Sequence, residues 1–236
     1  VREGGKNSIY SGVYSVMETY LKKLIEGGEN QQLDFKYCIS DSRKIARTLS
    51  AFSNSDGGKI LIGVRDNGSI AGIQSDEEIY MVDTAAHIFC RPEITYTIKQ
   101  HLTGGKTIVE VDIARGSKRP YQVKGEDGSW LPYFRHLDQN LVANRVLLQV
   151  WRKEGKKKGV LVKFGKAENT LMDYLSKNGS ITLSRFRKIT RISSYKAESI
   201  LANLILFRVV IMNASEKGFT YELNPEEPIP PSSPSP

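Results

Sequence analysis

The chain has 236 residues, 39% hydrophobic and 25% charged, which excludes a disordered or collagenous polymer, and no apolar run reaches the ~18 residues needed to span a bilayer. Its formal charge of +8 is unevenly spread: residues 1–150 carry 19 Lys and Arg against 18 Asp and Glu, whereas residues 152–217 carry 15 against 5. Such asymmetry predicts a polyanionic partner for the second part, nucleic acid before others, because neutralised phosphates release counterions.

Along the chain, Val13–Ile25 repeats apolar residues at three- and four-residue spacing and predicts an amphipathic helix, stopped by Gly27-Gly28. Leu33–Ile39 alternates as a strand, and Asp41 to about Ser53 returns to helical spacing through Ile45, Leu49 and Phe52. Asp56-Gly57-Gly58 is a turn before the buried strand Lys59–Arg65, and Asp66-Asn67-Gly68 signals a hairpin into a short strand, Ser69–Ile73. A helix is expected over Ser75–Cys90, then strands at Ile94–Ile98 and Thr107–Ile113 around Gly104-Gly105. Tyr121–Lys124 and Trp130–Arg135 form a further hairpin, and Asn140–Arg152 reads as a helix. Lys153–Lys166 is basic and glycine-punctuated, with Val160–Phe164 as a candidate strand inside it. Helices follow at Ala167–Asn178, Thr182–Ile189 and Ser193–Phe207, then a hairpin of Val209–Asn213 and Phe219–Leu223. Asn224–Pro236 is a proline- and serine-rich tail.

Three short helices and a two-stranded wing match a winged helix-turn-helix, whose third helix enters the major groove. Leu171, Leu175, Leu183, Phe186, Ile189, Ile200, Leu201, Leu204 and Ile205 form its expected core. The start of the third helix then presents Ser193, Ser194, Tyr195, Lys196 and Ser199, flanked by Arg185, Arg187, Lys188 and Arg191 as phosphate contacts, with Lys217 at the wing tip. The same fold also serves as a protein-interaction module. The apolar surplus of Ser199–Val210 is expected to bury against the first domain or a second subunit, so a homodimer is a candidate assembly.

Glu29–Lys36 (ENQQLDFK), Ala51–Val64 (AFSNSDGGKILIGV), Asp66–Gly72 (DNGSIAG), Arg91-Pro92 and Tyr133-Phe134-Arg135 keep the order and spacing of a known pattern. Together they resemble the Schlafen AlbA-like domain, over roughly residues 15–145. The resemblance implies DNA binding, often beside a winged helix in bacterial regulators. It also implies, from those members that are nucleases, an acidic set at Glu29, Asp34 and Asp66, which would hold divalent metal. Asp34 stands where Glu is more usual, and Arg65 where an acid is common. The plainer alternative pairs Glu29 and Asp34 with Lys36 or Arg65. Lys36 and Arg135 are candidate phosphate contacts, or solvated residues at a strand edge. Asn54 is expected to bond backbone groups in its turn, beside glycines that permit positive φ.

Other chemistry is sparse. Gly104-Gly105-Lys106-Thr107 imitates a phosphate loop, but position 100 is Gln rather than Gly. His87 and Cys90 have no second pair at zinc spacing, and His101 and His136 lack a triad context. Two cysteines, Cys38 and Cys90, make no disulfide framework and point to a reducing, cytoplasmic setting. Val1–Tyr10 is polar, without a signal-peptide pattern, and the first residue is not Met, so the native start is expected upstream. The expected class is α+β (mixed α/β): a Schlafen-type Alba-like domain at 13–150, a basic linker at 151–166, a winged helix-turn-helix at 167–223 and a tail at 224–236. The expected function is that of a DNA-binding transcriptional regulator acting on double-stranded DNA without a cofactor. A metal-dependent endonuclease and a protein-interaction adaptor are the alternatives.

Overall fold

The computed structural model describes residues 19–154, 164–215 and 218–226. The chain divides into two compact units, Val1–Ala143 and Asn144–Pro236. Among the described residues, no helix is long and apolar enough to cross a membrane.

In the first unit, helical residues 19–26 (α1) precede β1 (Leu33–Lys36), and α2 (Ser42–Asn54) begins where the Asp41 carboxylate accepts the Arg43 N–H at 2.8 Å. Then come β2 (Gly58–Ile62), α3 (Glu77–His87), β3 (Cys90–Arg91), β4 (Tyr96–Thr103), β5 (Lys106–Ile113), β6 (Gln122–Lys124), β7 (Trp130–His136) and β8 (Gln139–Val142). Two four-stranded sheets result, ordered β1-β2-β5-β4 and β3-β6-β7-β8, with β1 and β2 parallel and every other pair antiparallel. The phosphate-loop imitation is the β4–β5 hairpin turn, with Gly104 and Gly105 at φ 54° and 73°.

The continuous apolar run of β2 reflects burial on both faces. On one face, Leu33, Phe35, Leu61 and Ile108 pack with Leu21 of α1. On the other, Ile60, Ile62, Val109 and Val111 join Ile45, Leu49 and Phe52 of α2 and Val82 and Ala86 of α3. The turn from α2 into β2 needs both its glycines. A Cβ on Gly57, at φ 75°, would lie 2.7 Å from the Ile113 carbonyl oxygen, and one on Gly58 would lie 2.6 Å from the Phe52 ring.

The second unit runs α4 (Arg145–Glu154), α5 (Lys166–Asn178), β9 (Ser180–Ile181), α6 (Leu183–Thr190), α7 (Ser194–Leu206), β10 (Val210–Ser215) and β11 (Gly218–Leu223), with strand order β10-β11-β9. The Thr182 hydroxyl accepts the Arg185 N–H and the Ser193 hydroxyl the Lys196 N–H, so each helix of the α6–α7 pair starts at a side-chain cap. Leu171, Leu175, Phe186, Ile200, Leu201 and Leu204 are buried as expected, joined by Ile181, Val210 and Tyr221. Leu183, Ile189 and Ile205 are only half-buried.

Several expected elements differ. Ser69–Ile73 reduces to a single bridge between Val64 and Ile70. The helix expected over Asn140–Arg152 is a strand followed by a helix. Asn140 is held in β8 by bonds to Arg135 and Thr48, and Asn144 Oδ1 accepts the Leu147 N–H at the start of α4. Residues 144–150, expected in the first domain, fall in the second unit. There α4 buries Val146, Val150 and Trp151, its Gln149 donates to Glu198 (3.3 Å), and its Lys153 donates to Ser199 Oγ (2.8 Å) and Asn203 Oδ1 (2.5 Å). The apolar surplus of α7 thus finds cover within its own unit. Residues 13–18 of the expected first helix, 155–163 of the linker and 227–236 of the tail lie outside the described residues.

Candidate nucleic-acid interface

The two bases of the first unit expected at phosphates are engaged with their own chain. Arg135, on β7, has no exposed side-chain surface. Its Nη1 donates to Asp34 Oδ1 and Asn140 Oδ1 (both 3.0 Å), its Nε and Nη2 to the Asn30 carbonyl (3.2 and 3.1 Å), and Nη2 also to the Leu33 carbonyl (3.1 Å). Its guanidinium lies over the Phe52 ring, 5.1 Å from the centroid. This corrects Arg135 as a phosphate contact: it is a buried pin that ties β7 to β1. Lys36 lies 2.5 Å from Asp34 Oδ2 and donates to the Phe35 carbonyl at 2.8 Å, so its charge is already matched.

Of the acidic set, Glu29 and Asp34 lie beside each other. Glu29 Oε1 accepts the Phe35 N–H at 2.8 Å. Burial raises the Glu29 carboxyl above its ordinary value, the Phe35 N–H works against that, and the neighbouring Asp34 carboxylate adds to the rise. Asp34 is buried and holds Arg135 and Lys36. Asp66 is exposed in the turn beyond β2, and among the described residues no three of His, Cys, Asp and Glu gather as a metal-holding group. A divalent ion needs several carboxylates free of other cations, whereas Asp34 already faces Lys36 and Arg135 and no third acid joins it and Glu29 among the described residues. The residues as arranged do not fit the metal that the nuclease resemblance implies.

The second unit is different. Arg185, Arg187 and Lys188 of α6, Arg191 in the turn, and Tyr195 and Lys196 in the first turn of α7 are all exposed, and Ser194 is half-exposed. Arg191 closes α6 in the left-handed region at φ 54°. None of these five bases forms an ion pair with a described residue; Arg185 lies 5.9 Å from the Tyr174 ring centroid. Ser199 is the exception among the expected contacts. It is half-buried and accepts from Lys153 of α4. Lys217 lies outside the described residues.

Asn54 bonds backbone groups, as expected, but those of distant strands, and a polar constellation around Glu110 escaped the sequence reading. Asn54 donates to the carbonyls of Tyr121 (2.8 Å) and Tyr133 (2.7 Å) and accepts the Tyr121 N–H (2.8 Å), so it bridges α2 to the second sheet as well as ending its helix. Glu110, fully buried on β5, accepts from Lys59 (2.7 Å) and Tyr20 (3.1 Å) and bonds His101 Nε2 (2.7 Å), while Lys59 also holds Asp112. Burial alone would raise the Glu110 carboxyl; Lys59, His101 and Tyr20 outweigh it and hold it below the ordinary value. The signal available was a charged residue inside an otherwise apolar alternation (TIVEVDI).

Comparison with known proteins places the first unit. Of solved structures, the DIP2311 protein of Corynebacterium diphtheriae aligns over 88% of this chain at 13% identity with a TM-score of 0.44, and the chain spans 39% of that protein's length. The N-terminal domain of a Nitrosomonas europaea protein named "Putative ATP-dependent DNA Helicase RecG-related Protein" aligns over 52% of this chain and 94% of its own at 20% identity, TM-score 0.37. Residues 29–144 match the family described as Schlafen, AlbA_2, and they contain the Asn54 bridge, the double-glycine turn and the Asp34–Arg135 pin described above. Residues 29–144 are a Schlafen/AlbA_2 family domain.

Proposed function

We propose that the chain is a DNA-binding protein with the role of a transcriptional regulator, and that its second unit is a winged helix-turn-helix. The observation that carries this reading is the cluster of Arg185, Arg187, Lys188, Arg191 and Lys196, five exposed bases on two consecutive helices and the turn between them, without an acidic partner among the described residues. The order α5-β9-α6-α7-β10-β11, with β11 between β10 and β9, supports the winged-helix reading. In that fold the exposed N-terminal turn of α7 enters the major groove, and α6 crosses the backbone. Ser194, Tyr195 and Lys196 then meet base edges, while Arg185, Arg187, Lys188 and Arg191 meet phosphates. The Schlafen/AlbA_2 domain adds to the case through the nucleic-acid binding that its resemblance implies.

Duplex DNA with a random and a selected site, titrated with the protein from low to physiological salt, tests the reading. Arg191→Ala is expected to weaken both sites about equally, and Lys196→Ala to cost roughly 1–3 kcal/mol on the selected site and less on the random one. If light scattering shows Lys196→Ala changing the oligomeric state with DNA affinity intact, α7 meets a partner subunit instead, and the adaptor reading replaces this one. Divalent metal added to the same titration exposes any strand cleavage.

A further inference from the structure

One flank of α2, in the first unit, carries half-buried Arg43 and exposed Lys44 and Arg47 within little more than one turn. We propose that this stripe is a second nucleic-acid contact, gripping the phosphate backbone of duplex DNA; it takes from the preceding reading only that the chain meets DNA.

Three features set the stripe apart from an ordinary solvated helix face. Arg43 and Arg47 stand at i, i+4 and Lys44 and Arg47 at i, i+3, spacings at which like charges face each other and weaken a helix. The bases also open the helix, where the backbone dipole is already positive, and the first turn contains no acid beyond the capping Asp41. None of the three forms an ion pair with a described residue. All the local electrostatics therefore favour an anion from outside the chain.

The arginines are also held in place for one. The Arg43 guanidinium lies 5.0 Å from the Phe89 ring centroid, and that of Arg47 lies 5.8 Å from that of Tyr133. A guanidinium resting on an aromatic face keeps its N–H edges free for phosphate oxygens, which its planar fork matches. Arg43 Nε is buried and, among the described residues, has no hydrogen-bond partner, so this guanidinium is short of acceptors there. Two such groups one helical turn apart are separate points of charge, which suits a repeating backbone of phosphates better than a single small anion.

The test uses the full chain and the salt dependence of its affinity for duplex DNA. Lys44→Gln/Arg47→Gln, changed only at exposed positions, is expected to reduce the log–log slope by about two, and Lys44→Gln alone by about one. Lys44→Arg/Arg47→Lys keeps the charge and is expected to keep the slope. Thermal melting of the Gln variant is expected to be no lower than that of the native chain, because like-charge pairs have been removed. Native binding with an unchanged slope in the Gln variants overturns the stripe and leaves α6–α7 as the DNA contact. Loss of binding in Arg187→Gln/Lys188→Gln together with a native slope for Lys44→Gln/Arg47→Gln has the same meaning. A native chain that does not bind duplex DNA overturns both readings.

Discussion

Arg135 and Asp34 are a hundred residues apart in sequence and form a buried ion pair whose remaining donors end on two carbonyls and Asn140. Arg135→Ala leaves Asp34 only Lys36 among the described residues and strips the donors from the Asn30 and Leu33 carbonyls, so it is expected to cost on the order of 3 kcal/mol, read as a lower denaturation midpoint with an unchanged denaturant slope. Nothing local in the sequence distinguishes such a pin from an exposed base, since both are an arginine in an alternating strand; only tertiary burial separates them. Glu110 and Glu29 have opposite linkage to pH. The Glu110 carboxyl is held below its unfolded value, so the stability it contributes is complete above that value and is lost as pH falls through the folded one. Glu110→Gln is therefore expected to flatten the acid limb of stability against pH. The Glu29 carboxyl is raised, so its contribution is complete at low pH and is lost as pH rises through the folded value. Glu29→Gln, which can still accept the Phe35 N–H, is expected to hold stability at neutral pH or increase it, while Glu29→Ala lowers it. Thermal melts from pH 3 to 8 read both effects.

Among the elements, those with strong periodicity and a clear cap stand close to where the sequence puts them: α2 behind Asp41, α6 behind Thr182 and α7 behind Ser193. Asn140–Arg152 shows the limit. Its residues alternate and cycle equally well, and the break at Asn144 depends on Arg135 and Thr48 claiming Asn140. Two-residue β9 was invisible, since a strand so short exists only through its pairing with β11. The reassigned α4 carries a prediction. A fragment beginning at residue 144 retains Val146, Val150 and Trp151 against the rest of its unit, whereas one beginning at 165 exposes the face of α7 that α4 covers. The longer fragment is expected to melt cooperatively and the shorter one to lose stability or associate; Trp151→Ala in the longer fragment is expected to cost about 3–5 kcal/mol.

For the molecule as a whole, composition already separates a nearly neutral first part from a basic second part, and that division was legible without coordinates. Which bases are available was not. Lys36 and Arg135 are committed within the first unit and Ser199 within the second, while Arg187, Lys188, Arg191 and Lys196 stand exposed on consecutive helices. Helical rotation and burial decide that sorting, and both depend on contacts far apart in sequence. The central claim is that these exposed side chains meet duplex DNA, the arginines and Lys188 at its backbone. Its most direct measurement is the affinity of the full chain for duplex DNA across a salt series. If six phosphates are neutralised, log affinity against log salt is expected to fall with a slope of about −5, and a flat response would contradict the account.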